Sequence, residues 1–96
     1  MTSKERSKLK SLAMNLEPIF QIGKSGLTPE LSQAVREALD KRELIKINIL
    51  KNCDADRDEL AQTLAERTGA RVVQVIGKKI VLFKYQTDPK KRRIEL

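Results

Sequence analysis

The sequence predicts one α/β domain whose elements follow the order helix, strand, helix, strand, helix, strand, strand. Segments with apolar residues at helical spacing alternate with short segments rich in β-branched residues, and 96 residues are enough for only one small core. No internal repeat, low-complexity linker or heptad pattern divides the chain. We therefore assign residues 1–86 to the domain and residues 87–96 to a basic, flexible tail.

The N-terminal part is predicted to form a helix and a short strand. In Thr2–Leu16, Thr2 and Glu5 have the spacing of a capping box, and apolar residues recur at helical spacing. Pro18 ends this helix and introduces the strand Ile19–Ile22.

The middle part is predicted to form a second helix and a second strand. The helix covers residues 28–42, with Thr28 as N-cap, Pro29 in the first helical position and a regular apolar stripe. Leu44–Leu50 alternates isoleucines with polar residues, which is typical of a strand with one buried face. We therefore expect a sheet that is covered on one side only.

The last third is predicted to form a helix and a hairpin. The helix begins near Asp56 and closes at Gly69, and Val72–Ile76 and Ile80–Phe83 are antiparallel strands joined by a basic turn. We expect all three helices to pack on one sheet face. The predicted core then consists of Leu31, Val35, Leu39, Ile45, Ile47, Ile49, Leu60 and Leu64.

The positive charge is unevenly distributed along the chain. There are 20 Lys and Arg residues against 13 Asp and Glu residues, a net charge of +7. Residues 1–27 carry +3, residues 28–68 carry −2 and residues 69–96 carry +6. If the positive segments meet in space, they form a basic face that suits a polyanion. The alternative is that these charges only keep the protein soluble.

The composition excludes several kinds of site. A single cysteine cannot form an internal disulfide, and the absence of histidine removes the usual Cys/His zinc sites and histidine acid–base catalysis. The aspartates at positions 54, 56 and 58 lack the glycine and closing glutamate of a calcium loop. No apolar run approaches a membrane span. We expect a cytoplasmic protein without a cofactor, a metal or a membrane partner.

The most informative segment is Gly23-Lys24-Ser25-Gly26, between the first strand and the second helix. Glycines allow positive φ and close approach of a ligand to the backbone, while Lys24 supplies charge and Ser25 a hydroxyl donor. The helix N-terminus that follows favours an anion. Two glycines three residues apart also occur in plain βα turns, so the loop alone does not decide between a turn and a phosphate site.

Three segments, in order along the chain, carry a family resemblance: Gly23–Thr28 after the first strand, Glu43–Ile47, and Thr68–Ala70 leading into Val73–Lys78 and the apolar Ile80–Phe83. Together they resemble the CRM domain, the chloroplast RNA splicing and ribosome maturation module, in its bacterial stand-alone YhbY-like form. The resemblance covers nearly the whole chain.

The resemblance implies a four-stranded mixed sheet with helices packed on it, similar to the C-terminal domain of bacterial translation initiation factor three. It also implies RNA binding through the GxxG loop and, for bacterial members, association with precursors of the large ribosomal subunit. Together with the basic segments, it gives the following candidate RNA-binding residues: Gly23, Lys24, Ser25, Gly26, Leu27, Thr28, Lys4, Lys8, Lys78, Lys79, Lys90, Lys91, Arg92 and Arg93.

Three functions remain open at the level of sequence. The first is a monomeric protein that grips structured ribosomal RNA by its backbone and acts in large-subunit assembly. The second is a general nucleic-acid-binding module that also accepts DNA, since counterion release operates on either polymer. The third is a small nucleotide-binding enzyme, which is disfavoured because the loop lacks Walker and Rossmann spacing.

Overall fold

The computed structural model describes all 96 residues and confirms the predicted order of elements. The element boundaries differ from the predicted ones by only a few residues; the first helix, for example, ends at Ala13 rather than Leu16. The elements are α1 (Ser3–Ala13), β1 (Phe20–Ile22), α2 (Pro29–Arg42), β2 (Leu44–Ile49), α3 (Arg57–Thr68), β3 (Arg71–Ile76) and β4 (Lys79–Phe83), followed by a 3₁₀ turn at Pro89–Lys91.

Each helix begins with the capping residue that the sequence predicts. Thr2 and Glu5 form a reciprocal capping box, and the hydrogen bonds from Thr2 lower the pKa of the Glu5 carboxyl. The side chains of Thr28 and Asp56 each accept a backbone N–H three residues later. Gly69 ends α3 in the left-handed conformation, with φ of 75°.

The four strands form one mixed sheet in the order β1-β2-β4-β3. β1 and β2 are parallel, whereas β4 is antiparallel to both β2 and β3. The carboxyl ends of β1 and β2 therefore lie at the same end of the sheet as the β3–β4 hairpin turn. We call this end the loop end, because the glycine loop follows β1 there.

Helices α2 and α3 cover one face of the sheet, as predicted. Val35 and Leu39 of α2 and Leu64 of α3 are fully buried, and they pack against isoleucines that alternate along β2. Of the eight predicted core residues, seven are buried, and Leu31 is partly buried against the same cluster. The alternation along β2 thus identifies this face correctly.

The prediction that all three helices share one face is wrong, because α1 packs on the opposite face. Its Leu9 and Ala13 form a second cluster with Leu44, Val81 and Phe83. The reason lies in β4, where four consecutive apolar residues are buried and therefore point to both faces of the sheet. Val81 and Phe83 of this run point away from α2 and α3, and α1 covers them from the other side.

The α2 face gives a direct stability prediction. Truncating Val35 or Leu39 to Ala should lower the free energy of unfolding by about 2 to 4 kcal/mol, because each substitution leaves a cavity in a closed core. Chemical denaturation measures this loss. Lys41→Ala, on the exposed side of the same helix and without a side-chain hydrogen bond or salt bridge, serves as the control. Losses near zero at Val35 and Leu39 would contradict the packing described above.

The segment after β4 is held by a buried glutamate. Glu43 is completely buried and has a left-handed backbone with φ of 66°. Its carboxylate accepts the N–H of Gln86 at 3.3 Å, of Ile94 at 3.1 Å and of Arg93. The division into a domain of residues 1–86 and a flexible tail stays a prediction, but these contacts were not expected from the sequence.

Candidate nucleic-acid interface

The glycine loop is a tight turn at the loop end of the sheet. The N–H of Gly26 donates to the carbonyl of Gly23 at 3.0 Å, so Lys24 and Ser25 occupy the two central positions and both are exposed. The hydrogen bond between the two glycines therefore holds a turn whose lysine and serine side chains are open to solvent.

The two glycines serve different purposes. Gly26 needs glycine because its φ is 65°, and a Cβ built there meets nothing within 4 Å. A side chain at this position would project into open space beside the turn. At Gly23 an added Cβ would make ordinary van der Waals contacts, 3.4 Å from Leu50 Cδ1 and 3.5 Å from Asn52 Oδ1, so this position faces the end of β2 and not open space.

Several backbone amides around the turn have no partner within the protein. The N–H groups of Gly23, Lys24, Ser25, Leu27 and Thr28 donate no hydrogen bond to any other group of the chain. They are available to an anionic ligand, whereas the amide of Gly26 closes the turn and is not.

The helix N-terminus contributes less to such a site than the sequence suggests. Pro29 has no N–H, and the N–H of Leu31 is already satisfied by the Thr28 hydroxyl at 3.1 Å. In the first turn of α2, only Glu30 keeps an unpaired N–H, and its own side chain is acidic. Loop amides rather than helix amides thus provide most of the free donors.

The structure brings Lys78 and Lys79 to the same end of the sheet as the loop. The carbonyl of Lys78 accepts the N–H of Ile49 at 2.7 Å, and Lys79 Nζ donates to Asn48 Oδ1 at 2.9 Å. Only β2 separates β1 from β4, so the hairpin lies roughly 10 Å from the strand that leads into the loop.

Sequence reasoning missed several residues that surround the loop. Leu50 and Asn52 follow β2 and lie against Gly23, because parallel pairing places the ends of β1 and β2 side by side. The exposed Lys51 lies between them in the chain. Arg57 donates to the carbonyl of Gly77 at 2.7 Å and so ties α3 to the hairpin turn. Arg67 reaches the carbonyl of Leu27 at 3.4 Å. No sequence motif marks these residues; their positions follow from the strand pairing and from the packing of α3.

The remaining predicted basic residues lie elsewhere. Lys8 donates to the backbone carbonyl of Glu95, which places α1 beside the tail. Arg92 lies 4.7 Å from the ring centroid of Tyr85 and donates to the carbonyl of Gln86 at 3.0 Å, so its guanidinium is engaged within the protein. The other basic residues of this group are exposed; they are Lys4, Lys90, Lys91 and Arg93.

The predicted basic face therefore consists of two groups. One lies at the loop end and the other beside the tail, near the start of β2, where Glu43 holds residues 86 to 94. Few of these charges are neutralised internally, because the structure contains one salt bridge, Lys84 to Asp40 at 3.4 Å.

The family profile described as the CRS1 / YhbY (CRM) domain matches residues 1–84. The chain belongs to the CRM domain family. This confirms the resemblance inferred from the glycine loop and the two later motifs. The CRM fold thus supplies the sheet, the loop end and the helices described above.

Individual relatives agree with this assignment. The CRM chain is 41% identical over 96 residues to the "Probable RNA-binding protein YqeI" of Bacillus subtilis, covering 100% of this chain and 98% of that protein. It is 31% identical over 93 residues to an RNA-binding protein of Haemophilus influenzae, covering 94% and 91% of the two chains.

A solved structure shows the same fold. The solution structure of a hypothetical protein from Staphylococcus aureus, for which RNA binding is suggested, superposes with a TM-score of 0.80 at 41% identity, covering 99% of each chain. In the CRM protein described here, none of the helices has the length and apolar character needed to cross a membrane.

Proposed function

We propose that this protein binds RNA and that the loop end is its principal contact. The observation that carries the proposal is the set of five unpaired backbone amides around the Gly23–Gly26 turn, next to exposed lysines. Amides of this kind suit phosphate oxygens, and a GxxG loop clamps backbone nucleotides in the KH module. The names of the relatives support RNA as the polyanion.

Recognition should be directed at the RNA backbone rather than at bases. The chain has only three aromatic residues. Phe83 is buried, Phe20 packs against the core, and the exposed Tyr85 ring has an edge contact with Phe83 and Arg92 over its face. Stacking platforms of the kind used by single-strand binders are therefore scarce, and phosphate and 2′-hydroxyl contacts should dominate.

We further propose that the RNA is large-subunit ribosomal RNA or its precursor particle, and that the protein acts as a monomer in the cytoplasm during subunit assembly. Support for this finer statement comes from membership of the CRM family, together with what the resemblance described under Sequence analysis implies for its bacterial members. We expect it to act by binding rather than by catalysis.

Competition at fixed salt tests RNA against DNA. A stem-loop RNA of mixed sequence, labelled and bound to the protein, should be displaced far better by the unlabelled RNA than by a DNA hairpin of the same sequence, because 2′-hydroxyl contacts are absent from DNA. Equal displacement would support the general nucleic-acid-binding alternative instead.

Lys24→Ala should weaken binding about equally for all RNA sequences and reduce the slope of log affinity against log salt by about one unit. Lys41→Ala removes the same charge and serves as the matched control, because Lys41 lies in the last turn of α2, at the opposite end of that helix from the glycine loop. If both variants changed the slope equally, Lys24 would contribute only to the overall charge. A Lys24 variant with an altered sequence preference would contradict backbone recognition.

A further inference from the structure

The sheet face that α1 packs against is covered over only part of its length. Near the start of β2, Leu9 of α1 is buried with Leu44 and Phe83. Toward the loop end the face is open, and the strand register places one residue from each strand in a single row across it. This open row consists of Gln21, Asn48, Lys79 and Ile76.

The open row continues into a groove at the end of α1. The groove has a volume of about 270 Å³, and Lys10, Lys46 and Lys79 line it together with the apolar side chains of Met14 and Ile76. Met14 is 79% exposed and Ile76 is 57% exposed, the two highest values among the exposed large apolar side chains of the protein. Three cations thus surround two apolar contact points.

The charge of this face is one-sided. The four strands contain Lys46, Arg71 and Lys79 but no acidic residue. Neither Lys10 nor Lys46 takes part in a salt bridge, and Lys79 contacts only the neutral amide of Asn48. Helices α2 and α3, which lie on the opposite side of the sheet, carry six acidic and five basic residues, so their charges nearly cancel. The open row, without a carboxylate on its strands, therefore suits an acidic partner better than the helical layer does.

We propose that the open row and its groove form a second RNA contact, over which an RNA strand held at the glycine loop continues across the sheet. The inference rests on the proposed function and extends it. The lysines contact successive phosphates, and Met14 and Ile76 contact ribose or base faces without reading sequence. Gln21 lies two residues before Gly23, so the row begins beside the loop.

The dimensions agree with this path. The row crosses three inter-strand spacings, roughly 14 Å in total. Even at the rise of about 3.4 Å per nucleotide of a fully stacked strand, that length takes no more than about four nucleotides, and an extended strand takes fewer. RNA is favoured over a protein partner because only two exposed apolar side chains lie among three cations and several amides, whereas a stable protein interface has a larger apolar centre.

Ile76→Asp tests the proposal, because it places a negative charge in the open row at an exposed position. Binding of the stem-loop RNA should weaken about tenfold or more, since like charges in contact are strongly unfavourable. Leu12→Asp is the matched control: Leu12 is 42% exposed on α1 but does not line the groove, so its variant should change binding far less. Thermal unfolding confirms that both variants are folded.

Methyl NMR of the unaltered protein provides a second, independent readout. On addition of the same RNA, the methyl signals of Met14 and Ile76 should shift, whereas those of the buried Ile45 should not. Unchanged Met14 and Ile76 signals together with an unaffected Ile76→Asp affinity would overturn the second contact. If loop variants still abolish binding in that case, the proposed function stands and only this inference fails. If the parent protein binds no RNA, both fail.

Discussion

Gly26→Asp should abolish RNA binding while leaving the protein folded. The aspartate side chain would project from the turn into open space, where the ligand is expected, and would place a carboxylate beside the phosphate. Like-charge contact costs several kcal/mol, which corresponds to a loss of about 100-fold or more in affinity. Fluorescence anisotropy with the stem-loop RNA measures this loss.

Two control variants separate charge and strain from position. Gly26→Asn keeps the shape and the backbone strain but adds no charge, and it should bind more tightly than the aspartate variant. Gly69→Asp introduces the same residue at a similar φ, 75°, but at the end of α3. It should retain most of the binding. If folded Gly26→Asp protein bound RNA as well as the parent, the glycine loop would be only a turn.

Glu43→Ala should cause a large loss of stability and release the tail. The carboxylate is buried and accepts three backbone N–H groups. Hydrogen bonds to charged groups contribute about 1.5 to 3 kcal/mol each, and the cost of burying the carboxylate offsets a large part of their sum. Alanine keeps a Cβ at the same left-handed φ, so the backbone strain cancels in the comparison. We expect a loss of about 2 to 4 kcal/mol in the free energy of unfolding, measured by denaturation.

A double-mutant cycle with a chain ending at Thr87 shows how much of that loss comes from the tail. Without the tail, two of the three donors are gone, so Glu43→Ala should cost clearly less than in the full chain. Trypsin should also cut the full-length Glu43→Ala variant after Lys90 to Arg93 faster than it cuts the parent. An equal cost in both chains would show that Glu43 does not hold the tail.

The local structure could be predicted from the sequence because it depends on nearby residues. Caps such as Thr28 and Asp56 satisfy amides three residues away, and Gly69 ends α3 through its own backbone freedom. The α2 stripe and the alternation along β2 likewise depend only on spacing. Each of these features is confirmed by the structure.

The placement of α1 and the tail depends on pairings that no local pattern contains. The apolar run of β4 needs cover on two faces, but its four residues do not indicate which helix provides the second cover. Glu43 belongs to a family motif, yet its contacts lie 43 to 51 positions away in the sequence. Strand order was open for the same reason.

The site was predicted in part. The turn at Gly23–Gly26 was found from its glycines. The sequence could not show that the Gly26 amide closes the turn, or that the Thr28 cap already accepts the Leu31 amide at the start of α2. Lys51 was missed because no motif marks it, and Lys46 lies within the Glu43–Ile47 motif but was not among the candidate RNA-binding residues. Their positions in the fold follow from the pairing of β2 with β1 and with β4.

Sequencing of RNA crosslinked to the protein in cells tests the central claim most directly, with the folded Gly26→Asp variant processed in parallel. For the parent protein, we expect most reads to come from large-subunit ribosomal RNA or its precursor, concentrated at a few sites, and we expect these sites to be lost in the variant. Reads spread over unrelated RNAs, or the same sites recovered with Gly26→Asp, would contradict it.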